Sequence, residues 1–384
     1  YLDGMLRSEG KRTGLFTSPH LVKINERIVI DGVPVDDGAF TRNFKTTLEA
    51  VRLMEEEGLS HPTFFEFLLG MALCAFREAG VEYAVLETGL GGRLDATSAV
   101  EPPLVCVITS IGYDHMQYLG DTLAEIAAEK AGIIRPGVPV FYAGSSEESD
   151  RVIEKTAEKS GSFCKKIGKD AYEILGIEDK HIAFSCSSDY YGTTTWKLNN
   201  TGIYQPGNAM LAMEVMRYLF GKTGHTARWR EVLSELKWAG RMEEILPGVY
   251  VDGAHNISAV EAFLQSIPQD KQGNIIVFSA VRDKEYEKMA AALCSAPGTD
   301  AYVVTHIDDP RGTGSAQLGD IFRKYTDRPV IVRENVKDAL LWALENRGSR
   351  RVYCLGSLYL TGTIKELIQE VKSDAELRRR VKEV

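Results

Sequence analysis

Three stretches of this chain each set a ligand-capable side chain just past a short apolar run. Residues 14–16 lead into Thr17, Ser18, Pro19 and His20; residues 83–86 lead into Glu87; residues 105–111 lead through Asp114 to His115. Apolar runs this short, bounded by Gly, Pro or Asp, read as buried strands of a parallel sheet. Ligands of such sheets bind beyond the carboxyl ends of the strands. A hydroxyl, a carboxylate and an imidazole on one rim therefore suit a hard metal ion and its phosphates. Taken singly, Ser18 also shapes a turn before Pro19, and His115 also serves as an ordinary structural histidine. Their agreement is what carries the expectation.

Glu87 opens a glycine-rich turn through Gly89, Gly91 and Gly92 to Asp95, where the backbone can approach a ligand closely. Lys130 is the odd residue of its segment. The apolar face of Leu123, Ile126 and Ala127 runs directly onto it, while Glu125 and Glu129 lie elsewhere. A buried ammonium must lose its charge, pair with an acid or snorkel. A neutral lysine can also add carbon dioxide and become a carbamate. In the second half, residues 249–252 end a strand on Asp252, and Gly253, Ala254, His255 and Asn256 open a helix. Asp252 is placed to accept from ribose hydroxyls, or to cap the helix. A phosphate-loop search finds only Gly4, Gly10 and Lys11, with the wrong spacing, ahead of a strand instead of behind one.

These residues need a large α/β scaffold. At 384 residues two or three domains are expected. The hydrophobic fraction of 44% and charged fraction of 26% are those of a globular protein. The 45 basic and 54 acidic side chains leave a formal charge of −9, which argues against a nucleic-acid partner. No membrane-length apolar run or secretory signal is visible, and Cys74, Cys106, Cys164, Cys186, Cys294 and Cys354 show no metal spacing. A cytoplasmic protein with cysteines in its core is expected.

The patterning predicts a helix capped at Asp36 or Asp37 with the stripe Phe40, Phe44, Leu48, Val51 and Met54. A more apolar helix follows over 63–79, then another over 121–133. Alternating runs between Cys164 and Tyr204 suggest a small antiparallel side sheet, and 208–220 returns to helix. Near residue 240 a second α/β series begins, with strands at 249–252, 275–278, 301–304, 329–332 and 351–355. The basic cluster Arg378, Arg379, Arg380 and Lys382 reads as a solvated helix end.

The ordered motifs extend the reading. Thr17-Ser18-Pro19-His20-Leu21, Thr63-Phe64-Phe65-Glu66, Leu86 through Thr97, Ser110 through His115, Glu129 through Ile133, Ala239-Gly240-Arg241, Asp252 through Asn256 and Gly356-Ser357-Leu358-Tyr359 span almost the whole chain. Together they resemble folylpolyglutamate synthase, often bifunctional with dihydrofolate synthase, among the Mur-ligase-like ATP-dependent amide ligases. The resemblance implies an ATPase domain over 1–240, with a mostly parallel sheet and a small antiparallel side sheet, then a smaller Rossmann-like glutamate-ligase domain over 241–384. It implies ATP and Mg²⁺ as cofactors, with Ser18, Glu87 and His115 holding the metal and Lys130 carbamylated. Asn208 and Arg241 would lie near the adenine and phosphates, and Asp252 on the ribose. His255 would lie near the phosphates or incoming glutamate, Asp95 near the pterin-bearing substrate, and Ser357 on the glutamate.

The expected reaction joins L-glutamate to a pteroate or folate, in a monomer with no nucleic-acid or membrane partner. Family members carry a phosphate loop before the helix that ends near Gly10. The sequence starts after that point, so it is expected to be a truncated record, and the polypeptide as written is not expected to turn over ATP. Two alternatives are a Mur-type ligase of another carboxylate and an inactive ligase-like binding protein.

Overall fold

A computed structural model describes residues 1–373 apart from 101, 179, 189 and 269. The chain forms two compact units, one of Tyr1–Asn199 with Gln205–Leu236, the other of Asn200–Tyr204 with the chain from Lys237 onward.

In the first unit the strand Thr13–Phe16 runs parallel to Tyr83–Leu86, and Ile28–Ile30 and Val33–Pro34 extend the sheet antiparallel on the other side. The apolar helix Phe64–Ala79 covers it. Leu68, Leu69, Met71, Ala72, Ala75 and Phe76 join Phe16 and Ile28 in one core. Thr63 and Glu66 cap this helix reciprocally, and Gly80 ends it in the left-handed region. A second parallel set comprises Cys106–Ile108, Val140–Ala143 and Cys164–Ile167. Against it pack Ile126, Ala127 and Ala131 of the helix Leu123–Ala131, with Ile153 and Ala157 of Glu147–Lys159. The side sheet is antiparallel: Glu173–Glu178, His181–Ser188 and Gly192–Leu198.

Several local expectations shift. Cys164–Ile167 belongs to the parallel set, not the side sheet. Its alternation misleads because an edge strand also exposes one side; Lys165 pairs with Glu214, and Lys166 with Asp150. The helix Asp37–Glu56 buries Asn43, Thr47 and Val51, while Phe44 stays 42% exposed and leans on the Phe67 ring from the flank. Asp36 is its cap, accepting from the Ala39 amide at 2.7 Å. Thr122, not Asp121, caps the next helix, and the helix expected at 208 begins at Gln205.

The second unit is a six-stranded sheet in the order Glu243–Leu246, Val249–Val251, Arg351–Leu355, Asn274–Phe278, Thr299–Thr305, Val330–Arg333. Every neighbouring pair is parallel except the first. That first strand was not expected, since Glu243 and Glu244 break its apolar signal; it pairs through a hairpin at Gly248. The strand Asn274–Phe278 is buried at every position, as helices on both faces require. Val260, Phe263, Met289, Leu318 and Phe322 cover one face, and Val336, Leu340, Leu344, Leu360 and Ile364 the other. This is a doubly wound, Rossmann-like sheet.

Among the described residues no helix is long and apolar enough to cross a membrane. All six cysteines are free thiols, with Cys106, Cys186 and Cys354 buried. The basic cluster from Arg378 to Lys382 lies outside the described residues.

Candidate active site

In the first unit Ser18 and Glu87 follow the carboxyl ends of the paired parallel strands Thr13–Phe16 and Tyr83–Leu86. The Glu87 amide donates to the Phe16 carbonyl at 2.9 Å, and the Ser18 amide donates to Glu87 Oε2 at 2.8 Å. Two hydrogen bonds thus lock the ends of Thr13–Phe16 and Tyr83–Leu86 together, and Ser18 and Glu87 meet there. The Ser18–Pro19 bond is cis.

The glycine-rich turn is held by Asp95, which is 9% exposed. Its Oδ2 accepts from the amides of Gly89 and Leu90 at 2.7 and 3.0 Å, and its Oδ1 from the amide and hydroxyl of Thr97 at 3.0 and 2.6 Å. Four donors leave this carboxylate organising the loop from within. The turn docks on the helix Leu123–Ala131. The Arg93 amide donates to the Glu129 carbonyl at 2.9 Å, and a Cβ at Gly92 would lie 2.8 Å from the Lys130 carbonyl.

Lys130 is half-buried, as its apolar face implies. Burial pulls its ammonium below the ordinary lysine value, and the Asp114 carboxylate opposes that shift. Asp114 lies within the Ser110–His115 motif, which assigns it no role of its own. Here it faces both neighbours. It accepts from the His115 amide at 2.9 Å, and its Oδ2 stands 3.9 Å from His115 Nε2. His115 has a left-handed backbone, φ 51°, and heads the short helix Met116–Leu119. Among the described residues no three His, Cys, Asp or Glu side chains converge on one point. The donors that the sequence nominates for a cation are the Ser18 hydroxyl, the Glu87 carboxylate and the His115 imidazole. That donor set, mostly hard oxygen and few in number, suits Mg²⁺. Asn208, in Gln205–Phe220, donates to Gln205 Oε1 at 3.4 Å.

His20, in the Thr17–Leu21 motif, and Arg27 form a pair to which the sequence assigns no role. Arg27, 8% exposed, donates from Nε to His20 Nδ1 at 2.9 Å, and its guanidinium lies 5.4 Å from the Phe64 ring centroid.

In the second unit the adjacent strands Val249–Val251 and Arg351–Leu355 bring Asp252 and Ser357 to one rim. Asp252 is 4% exposed. Its oxygens accept from the amides of Ala254 and Met242, both at 2.8 Å, and from the Tyr204 hydroxyl at 3.3 Å. Burial raises its carboxyl above the usual range, against the pull of the Arg241 guanidinium and these hydrogen bonds. Tyr204 carried no sequence signal, since a lone Tyr in a loop has many uses. Arg241 donates to the Gly240 carbonyl at 3.2 Å. His255 Nδ1 lies 2.7 Å from the Gly253 carbonyl, which can only accept. Nδ1 is therefore the donor in this contact, which fixes the orientation of the ring. The Ser357 hydroxyl, 2% exposed, accepts from the Tyr359 amide at 3.1 Å.

A strand-end carboxylate beside a docked glycine-rich turn, followed by a Rossmann-like unit, accords with the Mur ligase class, which the family matches establish. Residues 47–216 match the Mur ligase middle domain, and residues 240–358 match the Mur ligase glutamate ligase domain. The Bacillus subtilis dihydrofolate synthase/folylpolyglutamate synthase is 32% identical over 388 residues, covering 96% of this chain and 87% of that protein. The chain belongs to the folylpolyglutamate synthase/dihydrofolate synthase family of ATP-dependent glutamate ligases. Solved structures agree. Folylpolyglutamate synthase of Mycobacterium tuberculosis, complexed with ADP and AMPPCP, superposes with a TM-score of 0.86 at 28% identity, over 96% of this chain and 87% of that one. E. coli FolC in complex with DHPP and ADP superposes at 0.82, also at 28% identity, over 97% and 85%.

Proposed function

We propose that this protein joins L-glutamate to the free carboxylate of a pteroate or folate by way of an acyl phosphate. The ATP γ-phosphoryl group passes to a carboxylate oxygen and ADP departs. The glutamate amine then attacks the acyl carbon, phosphate leaves, and the amine gives up a proton. The reading rests above all on the Ser18–Glu87 junction, which puts a hydroxyl and a carboxylate at the rim where phosphates of α/β proteins bind.

Ser18, Glu87 and His115 are the residues assigned to Mg²⁺, which when bound neutralises charge on the transferring phosphoryl group. Lys130, drawn toward its neutral form by burial, is assigned to carbamylation. Asp95 keeps the glycine-rich turn in shape beside the pterin substrate. In the second unit Asn256 caps a helix whose first amides suit phosphate oxygens, and Asp252 orients the turn leading to it. Asn208, Arg241 and Asp252 are assigned to ATP and Ser357 to glutamate. His255 is assigned to the phosphates or the incoming glutamate, with its ring oriented by the Gly253 carbonyl. Residues 1–240 form the ATP- and pterin-binding domain and 241–384 the glutamate-ligase domain, in a monomeric cytoplasmic enzyme.

Product analysis tests the reading. The native enzyme, given ATP and labelled glutamate, is expected to convert dihydropteroate or tetrahydrofolate to a glutamylated product while releasing ADP. Turnover only with UDP-linked cell-wall precursors would overturn the assignment in favour of another Mur-type ligase.

A further inference from the structure

We propose that Glu26 is a positioning residue for the metal site: it holds the loop 17–27 closed, so that the Ser18 hydroxyl is presented to the cation in one fixed place. This rests on the function proposed above, in which Ser18 is a ligand of Mg²⁺.

The loop joins two paired strands. Phe16 stands opposite Ile28 in the antiparallel pair of Thr13–Phe16 with Ile28–Ile30, and between them the chain turns back while carrying Ser18. Backbone closes its base. The Thr17 amide donates to the Arg27 carbonyl at 3.0 Å, and the Thr17 hydroxyl to the Glu26 carbonyl at 3.4 Å. Residues 21–23 lie outside helix and strand, and their amides are taken by the Glu26 side chain. Oε2 accepts from the Leu21 amide at 2.8 Å, and Oε1 from the amides of Val22 and Lys23 at 3.1 and 2.9 Å. Glu26 therefore grips the chain on both sides of Ser18, by its carbonyl at Thr17 and by its carboxylate at residues 21–23.

A helix cap alone asks for less. The short 3₁₀ turn Ile24–Arg27 calls for one reach-back bond, from the side chain of its third residue to the Lys23 amide. The bonds to Leu21 and Val22 exceed that need, and they fall on the loop that carries Ser18. The chemistry also calls for a carboxylate. Three N–H groups converge on two oxygens, which offer about four lone pairs between them. A glutamine would turn its NH₂ toward at least one of the same amides, donor against donor. The chain beyond Ser18 would then be released, and ordering it again when the cation binds costs affinity.

The test follows the Mg²⁺ concentration at which ADP release by the native enzyme is half-maximal. Glu26→Gln is expected to raise it about tenfold to a hundredfold, as loss of a group that orients a metal ligand does. The rise is expected to persist at high salt, which would screen the mere loss of a distant charge. Ser18→Ala is expected to raise the same value, and adding Glu26→Gln to it to change little, because both act through one hydroxyl. A Glu26→Gln enzyme that melts lower but keeps the native Mg²⁺ requirement overturns the proposal alone, as does an effect undiminished in the Ser18→Ala background. Hydrogen exchange needs no variant: the amides of Leu21, Val22 and Lys23 are expected to be protected in the native protein, and exchange at the rate of an open loop overturns the proposal too. If the native enzyme releases no ADP with dihydropteroate, or Ser18→Ala leaves its Mg²⁺ requirement as it was, the function and metal assignment fall first and take this role with them.

Discussion

The amide of Arg93 donates to the carbonyl of Glu129 at 2.9 Å, so the turn that begins at Glu87 is hydrogen-bonded to the helix that carries Lys130. Two residues remote in sequence, the strand-end carboxylate and the half-buried lysine, are thereby held in one rigid substructure. Arg93 adds an ion pair to the Glu129 side chain at 3.0 Å, but that exposed contact contributes little. Close backbone approach is the stronger constraint.

Gly132 is where this approach is tightest. A Cβ there would lie 2.4 Å from Arg93 Cα, and no rotamer change relieves a clash with backbone. Gly132→Ala is expected to destabilise the protein by about 1–3 kcal/mol and to move the turn away from the helix. Urea unfolding with an activity assay checks both, and native values for the variant would show that the turn is not clamped.

Glu87→Gln separates structure from metal binding. A glutamine oxygen can still accept from the Ser18 amide, so the strand ends stay tied, but the formal charge facing a cation is lost. ADP release is expected to fall roughly a hundredfold or more, with Mg²⁺ affinity reduced and the melting temperature little changed. Glu87→Ala is expected to lose the Ser18 tie as well and to melt lower.

Lys130 carries a test of its own chemistry. Only the neutral amine adds carbon dioxide, and burial lowers the Lys130 value, so its neutral fraction exceeds that of a surface lysine at the same pH. Protein equilibrated with ¹³C-bicarbonate is expected to give a carbamate resonance that Lys130→Ala lacks. The signal should shrink as pH falls and the amine is protonated. A spectrum identical in the variant would remove the modification.

Glu9 sets a pH dependence of stability. Its carboxylate, 4% exposed, accepts from the His225 amide and ring at 2.7 Å and from Trp229 Nε1 at 2.6 Å. Burial pushes the carboxyl up, but these hydrogen bonds outweigh it and hold Glu9 below its ordinary value of 4.5. A depressed folded-state value means the contribution is fully present above 4.5 and is lost as pH falls through the folded value. Glu9→Gln is expected to cost about 2 kcal/mol near neutral pH and progressively less in acid, read as the gap between urea midpoints. A gap independent of pH would deny the charge a role.

Strand-forming runs, helix caps and the second α/β series were legible because period and capping chemistry act over a few residues. Val249–Val251 and Arg351–Leu355 could each be read as strands from their apolar text, as could the Thr63–Glu66 cap of its helix. The edge strands Cys164–Ile167 and Glu243–Leu246 were misread or missed, because their lysines and glutamates answer to neighbours distant in sequence. The same divide runs through the site. Residue types and motif order were enough to nominate Ser18, Glu87, His115 and Lys130, since a hard cation and its phosphates call for a narrow set of side chains. Tertiary structure alone decided how they are used: that Glu87 is bound to the Ser18 amide, that Asp95 spends both oxygens inside its own turn, that Asp114 faces Lys130, and that Arg27 donates to His20. Hydrogen-bond partnership and burial depend on which distant segments meet, and local sequence carries no term for that.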